Sequence, residues 1–273
     1  MLPYPNIDPS IIELGPLKLR WYGLMYIVGF LAAYFLMGRQ AKARRLGLQG
    51  RQLQDLIFYL AIGLIVGARI GYVLFYQYPD FGSYLKHPLE IIAIWHGGMS
   101  FHGGLMGALI AGILFSRKRQ IPLWELGDVV IVTAPIGLGL GRTGNFINGE
   151  LFGRPSSVPW AMVFPTGGPL PRHPSQLYEA VLEGLALFVI LWSLKDRNFR
   201  PGAMVCFFLA GYGMLRFFVE FFREPDPQIG LFWGLFSMGQ FLCMAMIIAA
   251  VILWLFLKGK EPELQKSVKA KKR

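Results

Sequence analysis

The chain alternates between long apolar runs and short polar connections. Seven runs fall at about 21–37, 56–76, 99–115, 124–141, 177–194, 203–222 and 236–257. A bilayer core of ~30 Å is crossed by ~20 apolar helical residues. The pattern therefore predicts an all-α integral membrane protein with seven transmembrane helices in a single polytopic domain. No hydrophilic domain interrupts the runs, and no internal repeat stands out. The connection 143–176 is long and rich in Pro and Gly, as functional lids often are.

The basic residues give the runs a direction, because cytoplasmic loops carry the excess of Lys and Arg. One side holds Arg39, Lys42, Arg44, Arg45 and Arg51, then Arg117, Lys118 and Arg119, then Lys195, Arg197 and Arg200, and finally the basic tail 258–273. The other side holds only Lys18, Arg20, Lys86, Arg154, Arg172 and Arg223. The N-terminus is thus expected outside and the C-terminus in the cytoplasm. The opening "MLPYPNIDPS" has neither a basic n-region nor a small-residue cleavage site, so it is expected to stay with the chain.

Composition agrees with a membrane solvent: 54% of residues are hydrophobic and 16% charged, against about 45–50% and 25% in soluble domains. The net charge of +11 raises nucleic acid as a partner. No basic stripe is interleaved with stacking aromatics, however, and a membrane surface accounts for the charge better. Cys206 and Cys243 lie inside apolar runs without metal-ligand spacing and read as packing residues. With no HExxH and no Cys/His cluster, neither a catalytic metal nor another cofactor is expected.

Arg69, Arg142 and Arg216 stand within apolar runs or at their ends. Charge at membrane depth is costly and marks function by default. At 1.5 Å per residue along outward-running helices, Arg69 and Arg216 reach about 20 Å from the inner edge and Arg142 somewhat further. All three are expected in the outer leaflet. Tyr212, Arg216 and Glu220 follow at i, i+4 and i+8, which is one helical stripe. In "PIGLGLGRTGNFINGELFG", Gly139, Gly141 and Gly144 have the spacing of a dinucleotide fingerprint, but no βαβ pattern surrounds them. They read instead as helix-packing positions or as a compact bend presenting Arg142, Asn145, Asn148 and Glu150. The third run opens "WHGGMSFHGGLMG", whose two glycine pairs argue against an unbroken helix. His102 within it is a candidate base or phosphate contact, and Ser100 beside it keeps an intramembrane serine protease in view. The loop end "PRHPSQLYE" brings His173, Tyr178 and Glu179 to the same surface, while Trp21, Tyr22 and Trp160 suit an interfacial belt. Three cations without an obvious enzymic nucleophile suit a phosphate-bearing lipid. The alternatives are a transporter, which the apolar inner halves of the second and sixth runs oppose, and a scaffold, which leaves the arginines unexplained.

The stretches "WYGLMYIVGF", "GARIGYVLFY", "GGMSFHGGLMG", "GRTGNFINGELFGR", "PRHPSQLYEA", "YGMLRFFVEFFREPD" and "SMGQ" together resemble the prolipoprotein diacylglyceryl transferases of bacterial plasma membranes, from Ile7 to about Ile248. The resemblance implies transfer of diacylglyceryl from phosphatidylglycerol to the lipobox cysteine of a preprolipoprotein, releasing glycerol phosphate. The site would face the outer leaflet of the inner membrane. It also explains the missing nucleophile, which is the substrate's thiol. By resemblance, Arg142 is the phosphatidylglycerol-binding arginine, with Asn145, Glu150 and Gly153 around it. Arg216 is the second essential arginine, His102 and Tyr212 are the catalytic pair, and Tyr22 and Glu220 are further substrate contacts. Arg69 joins the substrate-binding group because of its depth.

Overall fold

The computed structural model of the protein describes residues 2–5, 7–14, 17–76, 84, 87–225, 230–232 and 234–258. Lys86 and the basic tail from residue 259 onward lie outside the described residues. The chain forms two compact units, one from the described residues of Met1–Met37 and Gly127–Arg273, the other from those of Gly38–Leu126.

A hairpin of β1 (Ser10–Leu14) and β2 (Leu17–Arg20) leads into α1 (Trp21–Ala43). Then come α2 (Arg51–Phe75), α3 (Phe101–Arg119), α4 (Leu123–Ile131) and α5 (Ala134–Ile147). After a long connection, α6 (Ser175–Leu194) is helical throughout but widens to a π-helix over Ala180–Ala186. The chain closes with α7 (Ala203–Val219), the short hairpin β3 (Leu231–Phe232) and β4 (Phe236–Ser237), and α8 (Met238–Lys258). Each predicted apolar run contains helix. Five segments among the described residues are long and apolar enough to cross a membrane: Trp21–Ala43, Arg51–Phe75, Leu123–Ile147, Ser175–Leu194 and Met238–Lys258. The apolar helix Ala203–Val219 is shorter, at 17 residues. Leu, Ile, Val and Phe along their outer faces are exposed, as expected where lipid replaces water.

In the unit of 38–126, α2 and α3 pack through glycine. A Cβ on Gly71 would lie 2.8 Å from Gly103 Cα, and one on Gly67 would lie 2.7 Å from Gly107 Cα. The backbones touch with no side chain between, the arrangement that small residues four apart permit in membranes. We expect Gly67→Ala to push the helices apart, at about 1–3 kcal/mol as for other overpacked sites. The thermal midpoint in detergent should fall. Gly23→Ala, where nothing lies within 4 Å of the added carbon, should not lower it.

The second glycine pair of "WHGGMSFHGG" thus belongs inside a helix, not at a break. Gly97 and Gly98, at φ 85° and 74°, make the turn that precedes α3. Ser100 is the N-cap of α3, its hydroxyl accepting from Gly103 N at 3.2 Å. That contact gives Ser100 a structural role.

In the other unit, Val132, Leu187, Leu191, Ala203 and Met204 form the core between α4, α6 and α7. Asp128, buried in α4, accepts from the amides of Gly202, Met204 and Val205 at 2.9, 3.0 and 3.2 Å. A carboxylate there satisfies the open amides at the start of α7 and complements its dipole.

Candidate active site

The helix α5 runs unbroken through Gly137, Gly139, Gly141 and Arg142 to Ile147, which corrects the expectation of a bend at the glycines. The turn comes later, at Gly149, with φ 66°. Gly139 serves packing: a Cβ there would lie 3.0 Å from Gly184 Cα and 3.2 Å from Ala180 O, both in the π-helical part of α6. The two helices meet backbone to backbone, and on α5 the next turn carries Arg142, whose Nε lies 2.7 Å from Glu179 Oε2. π-helical turns are uncommon and recur at functional sites. Here the wide turn carries Glu183 and directly follows Glu179.

Glu179 is fully buried and gathers three guanidinium groups. Besides Arg142, Arg216 Nη1 donates to Oε2 at 2.5 Å and Arg223 Nη1 to Oε1 at 2.7 Å. Arg216 Nη2 also lies 3.0 Å from Glu220 Oε2, and Arg223 Nε 3.4 Å from the same oxygen. Glu220 is seated against Gly239, where a Cβ would come within 2.8 Å of its carboxyl carbon, and it accepts from Ser237 Oγ at 3.0 Å. Such a cluster holds only because each charge is matched, since a lone buried charge costs several kcal/mol. Among the described residues the terminal nitrogens of Arg142 make no hydrogen bond, and its side chain is the most exposed of the three at 22%, against 13% and 14%. Arg142 is the arginine with donors to spare.

One turn beyond Arg142, Asn145 and Asn148 donate to Glu150 Oε1 at 2.8 and 3.1 Å. Gln176 Nε2 fixes the Glu150 carbonyl at 2.6 Å. Gly153 lies against the turn after α7: its amide donates to the His173 carbonyl, and a Cβ would come within 2.8 Å of His173 Cβ. Only glycine fits there. Tyr22 lies on Gly144, with the hydroxyl 3.3 Å from that of Tyr26. Tyr212 stands one turn before Arg216 on α7 and stacks on Phe208.

The connection from α5 to α6 is held as a structure of its own. Phe146, Met162 and Phe164 form a small core with Tyr4, Phe152 and Leu177, and Tyr4 donates to the carbonyls of Phe146 and Ile147 at the end of α5. At its far end Trp160 Nε1 donates to Tyr178 Oη at 2.6 Å, and the Tyr178 hydroxyl lies 3.0 Å from His173 Nδ1. We assign the hydroxyl proton to Nδ1, which leaves His173 neutral. Burial holds the His173 pKa below its ordinary value. The unfolded chain therefore binds more protons than the folded one as pH falls past about 6.5. The stabilisation is complete above that pH and is lost as pH drops through the folded-state pKa. The protection factors of the amides in residues 148–174, corrected for the intrinsic slowing of exchange at lower pH, should fall on acidification in the native protein, and His173→Gln should flatten that dependence.

In the unit of 38–126, Arg69 is 6% exposed and donates to backbone. Its Nε reaches Ile91 O at 3.0 Å, Nη1 reaches Gly97 O and Gly98 O at 2.6 and 3.0 Å, and Nη2 reaches Glu90 O. The arginine expected among the substrate contacts thus pins the turn that precedes α3. His102 is exposed in the first turn of α3.

Sequence reasoning brought Glu179 to this surface but not into the site, counted Arg223 as a loop charge and passed over Glu183. The signal was present: the two glutamates lie four apart inside an apolar run, and the depth rule applied to arginines holds for carboxylates too.

Apolar helices long enough to cross a bilayer, with three arginines drawn onto buried carboxylates, define a polytopic membrane protein with a charged centre. The chain belongs to the prolipoprotein diacylglyceryl transferase family, whose sequence model matches residues 9–256. A phosphatidylglycerol–prolipoprotein diacylglyceryl transferase of Geobacter sulfurreducens is 55% identical over 245 residues, 90% of this chain and 93% of the relative. Proteins of the same name from Pseudoalteromonas atlantica and Desulfotalea psychrophila are 53% and 48% identical, over 98% and 92% of this chain and 97% and 93% of their own lengths.

Proposed function

We propose that the chain is a transferase that moves the diacylglyceryl group of phosphatidylglycerol onto the lipobox cysteine thiol of a preprolipoprotein, forming a thioether and releasing glycerol phosphate. The observation that carries this reading is the arginine cluster on Glu179, set among apolar helices in a chain of this family. Arg142, with its open terminal nitrogens, grips the phosphate, and Arg216 faces the same anion from α7. Both stabilise the charge that grows on phosphate as its bond to the glyceryl carbon breaks. Asn145, Glu150 and Gly153 shape the lipid headgroup's seat, with Tyr22 and Glu220 at its margins. Tyr212 lies beside the reacting carbon. His102 contributes a charge contact at the first turn of α3, where a helix already favours an anion. Arg69 has a positioning role within its own unit, where it pins the turn that precedes α3.

In this reading seven helices span the bacterial inner membrane, with the N-terminus and the reacting face outside and the basic tail inside. A cysteine in place of the exposed Ser157 is expected to react with an impermeant thiol reagent added outside, and one in place of Ser267 is not. The native cysteines are buried and give little background. The reaction is tested with purified protein, phosphatidylglycerol and a lipobox peptide, by weighing the peptide. A peptide that gains no diacylglyceryl mass overturns the proposal.

A further inference from the structure

The cluster balances three arginines, Arg142, Arg216 and Arg223, against three glutamates, Glu179, Glu183 and Glu220. The glutamates are not equally committed. Glu179 takes ion pairs at 2.5–2.7 Å from all three arginines. Glu220 holds Arg216 at 3.0 Å and accepts from Ser237. Glu183 is 1% exposed, yet its nearest cation is Arg216 Nη1 at 3.6 Å, and its Oε1 accepts no hydrogen bond among the described residues. A buried carboxylate oxygen left open is expensive unless something is meant to reach it.

The reaction proposed above supplies that something, and the present inference rests on that reading. The thiol sulfur forms a bond to the glyceryl carbon. The bond from that carbon to the phosphate oxygen breaks, its electron pair leaving with the phosphate. The diester, with one negative charge, becomes a monoester with two, and the thiol's proton is released. With three carboxylates ionised, the cluster would then hold five negative charges against three positive ones. We propose that Glu183 is the proton acceptor of the reaction: it takes the thiol proton at Oε1 as sulfur attacks, so that the charge of the centre stays constant while the phosphate departs. Protonating Glu179 would forfeit three ion pairs and Glu220 two, whereas Glu183 gives up one long contact.

The groups facing Glu183 fit this role. Arg142 comes from α5, Glu179 from its own helix, Tyr212 and Arg216 from α7, Arg223 from the turn beyond, and Cys243 from α8. Arg216 at 3.6 Å favours the carboxylate form of Glu183, and Glu179, one turn away, favours its neutral form once a phosphate shares those arginines. The π-helical turn positions the carboxyl one turn from Glu179, against Arg216.

Initial rates of Glu183→Gln, His102→Gln and the unaltered protein, measured between pH about 6 and about 9, test the assignment. Glutamine keeps the shape but takes no proton. Glu183→Gln should lose about 10²-fold or more in turnover near neutrality, with the KM for phosphatidylglycerol unchanged. Its defect should shrink toward pH ~8.5, where more of the peptide arrives as thiolate. The His102→Gln defect should not depend on pH. A Glu183→Gln defect of equal size at every pH marks a positioning role and overturns the proposal, as does turnover close to normal throughout. If the glutamine variant does not fold, Glu183→Asp replaces it: a displaced acid limb supports the proposal, and an unmoved profile overturns it. Unaltered protein that transfers nothing overturns the functional reading itself. Active protein with a pH-independent Glu183→Gln defect overturns this inference alone.

Discussion

Arg142→Lys is expected to abolish most transfer while leaving the protein inserted and folded. Lysine keeps the charge but not the planar fork, and Arg142 uses that fork in two directions. Its Nε holds Glu179 at 2.7 Å, while its terminal nitrogens make no hydrogen bond among the described residues and the side chain stays partly exposed. An ammonium group is a single point charge and cannot do both at once. Turnover should fall by about 10²–10³-fold, the loss seen when one donor to a developing oxyanion is removed. The thermal midpoint should change little, because Arg216 and Arg223 still compensate Glu179. The check is initial rate with phosphatidylglycerol and lipobox peptide, beside a melting curve in detergent. Near-normal turnover would reduce Arg142 to a structural ion pair.

Glu179→Ala should have the opposite signature, losing stability before chemistry is tested. It leaves three guanidinium groups gathered in a buried space without their common counter-ion. Breaking a buried pair from one side costs about 3–5 kcal/mol, and here one carboxylate serves three partners. A large fall in thermal midpoint and poor recovery of folded protein are expected. Adding Arg223→Leu should restore part of the loss, since it removes one of the stranded charges; the non-additivity of the pair measures their coupling. If Glu179→Ala melts like the unaltered protein, the cluster does not hold α5, α6 and α7 together.

The apolar runs were legible because hydropathy acts locally: about 20 consecutive apolar residues leave a membrane helix few alternatives. Each run contains helix in the structure, with ends displaced by several residues, as at α1, which continues from Trp21 to Ala43. The arginines at depth were legible for the same reason, since a charge is conspicuous in an apolar run. Their partners were less so. Glu179 and Glu183 sit on a helix that is distant in sequence from Arg142, and nothing local says which charges meet.

The sequence by itself determined that this chain is a membrane protein, which family it resembles, and that Arg142 and Arg216 stand within apolar runs or at their ends, because each of these is written in composition, short motifs or burial cost. The tertiary structure decided what each charge does. It turned Arg69 toward backbone carbonyls, drew Arg223 from a presumed loop to Glu179, and left Glu183 with an open oxygen. It also showed that Gly139 and Gly184 are where α5 and α6 touch. The physical reason is that desolvation depends on residue type and neighbours in the chain, whereas the pairing of buried charges depends on distances of a few ångströms between helices, which only packing sets.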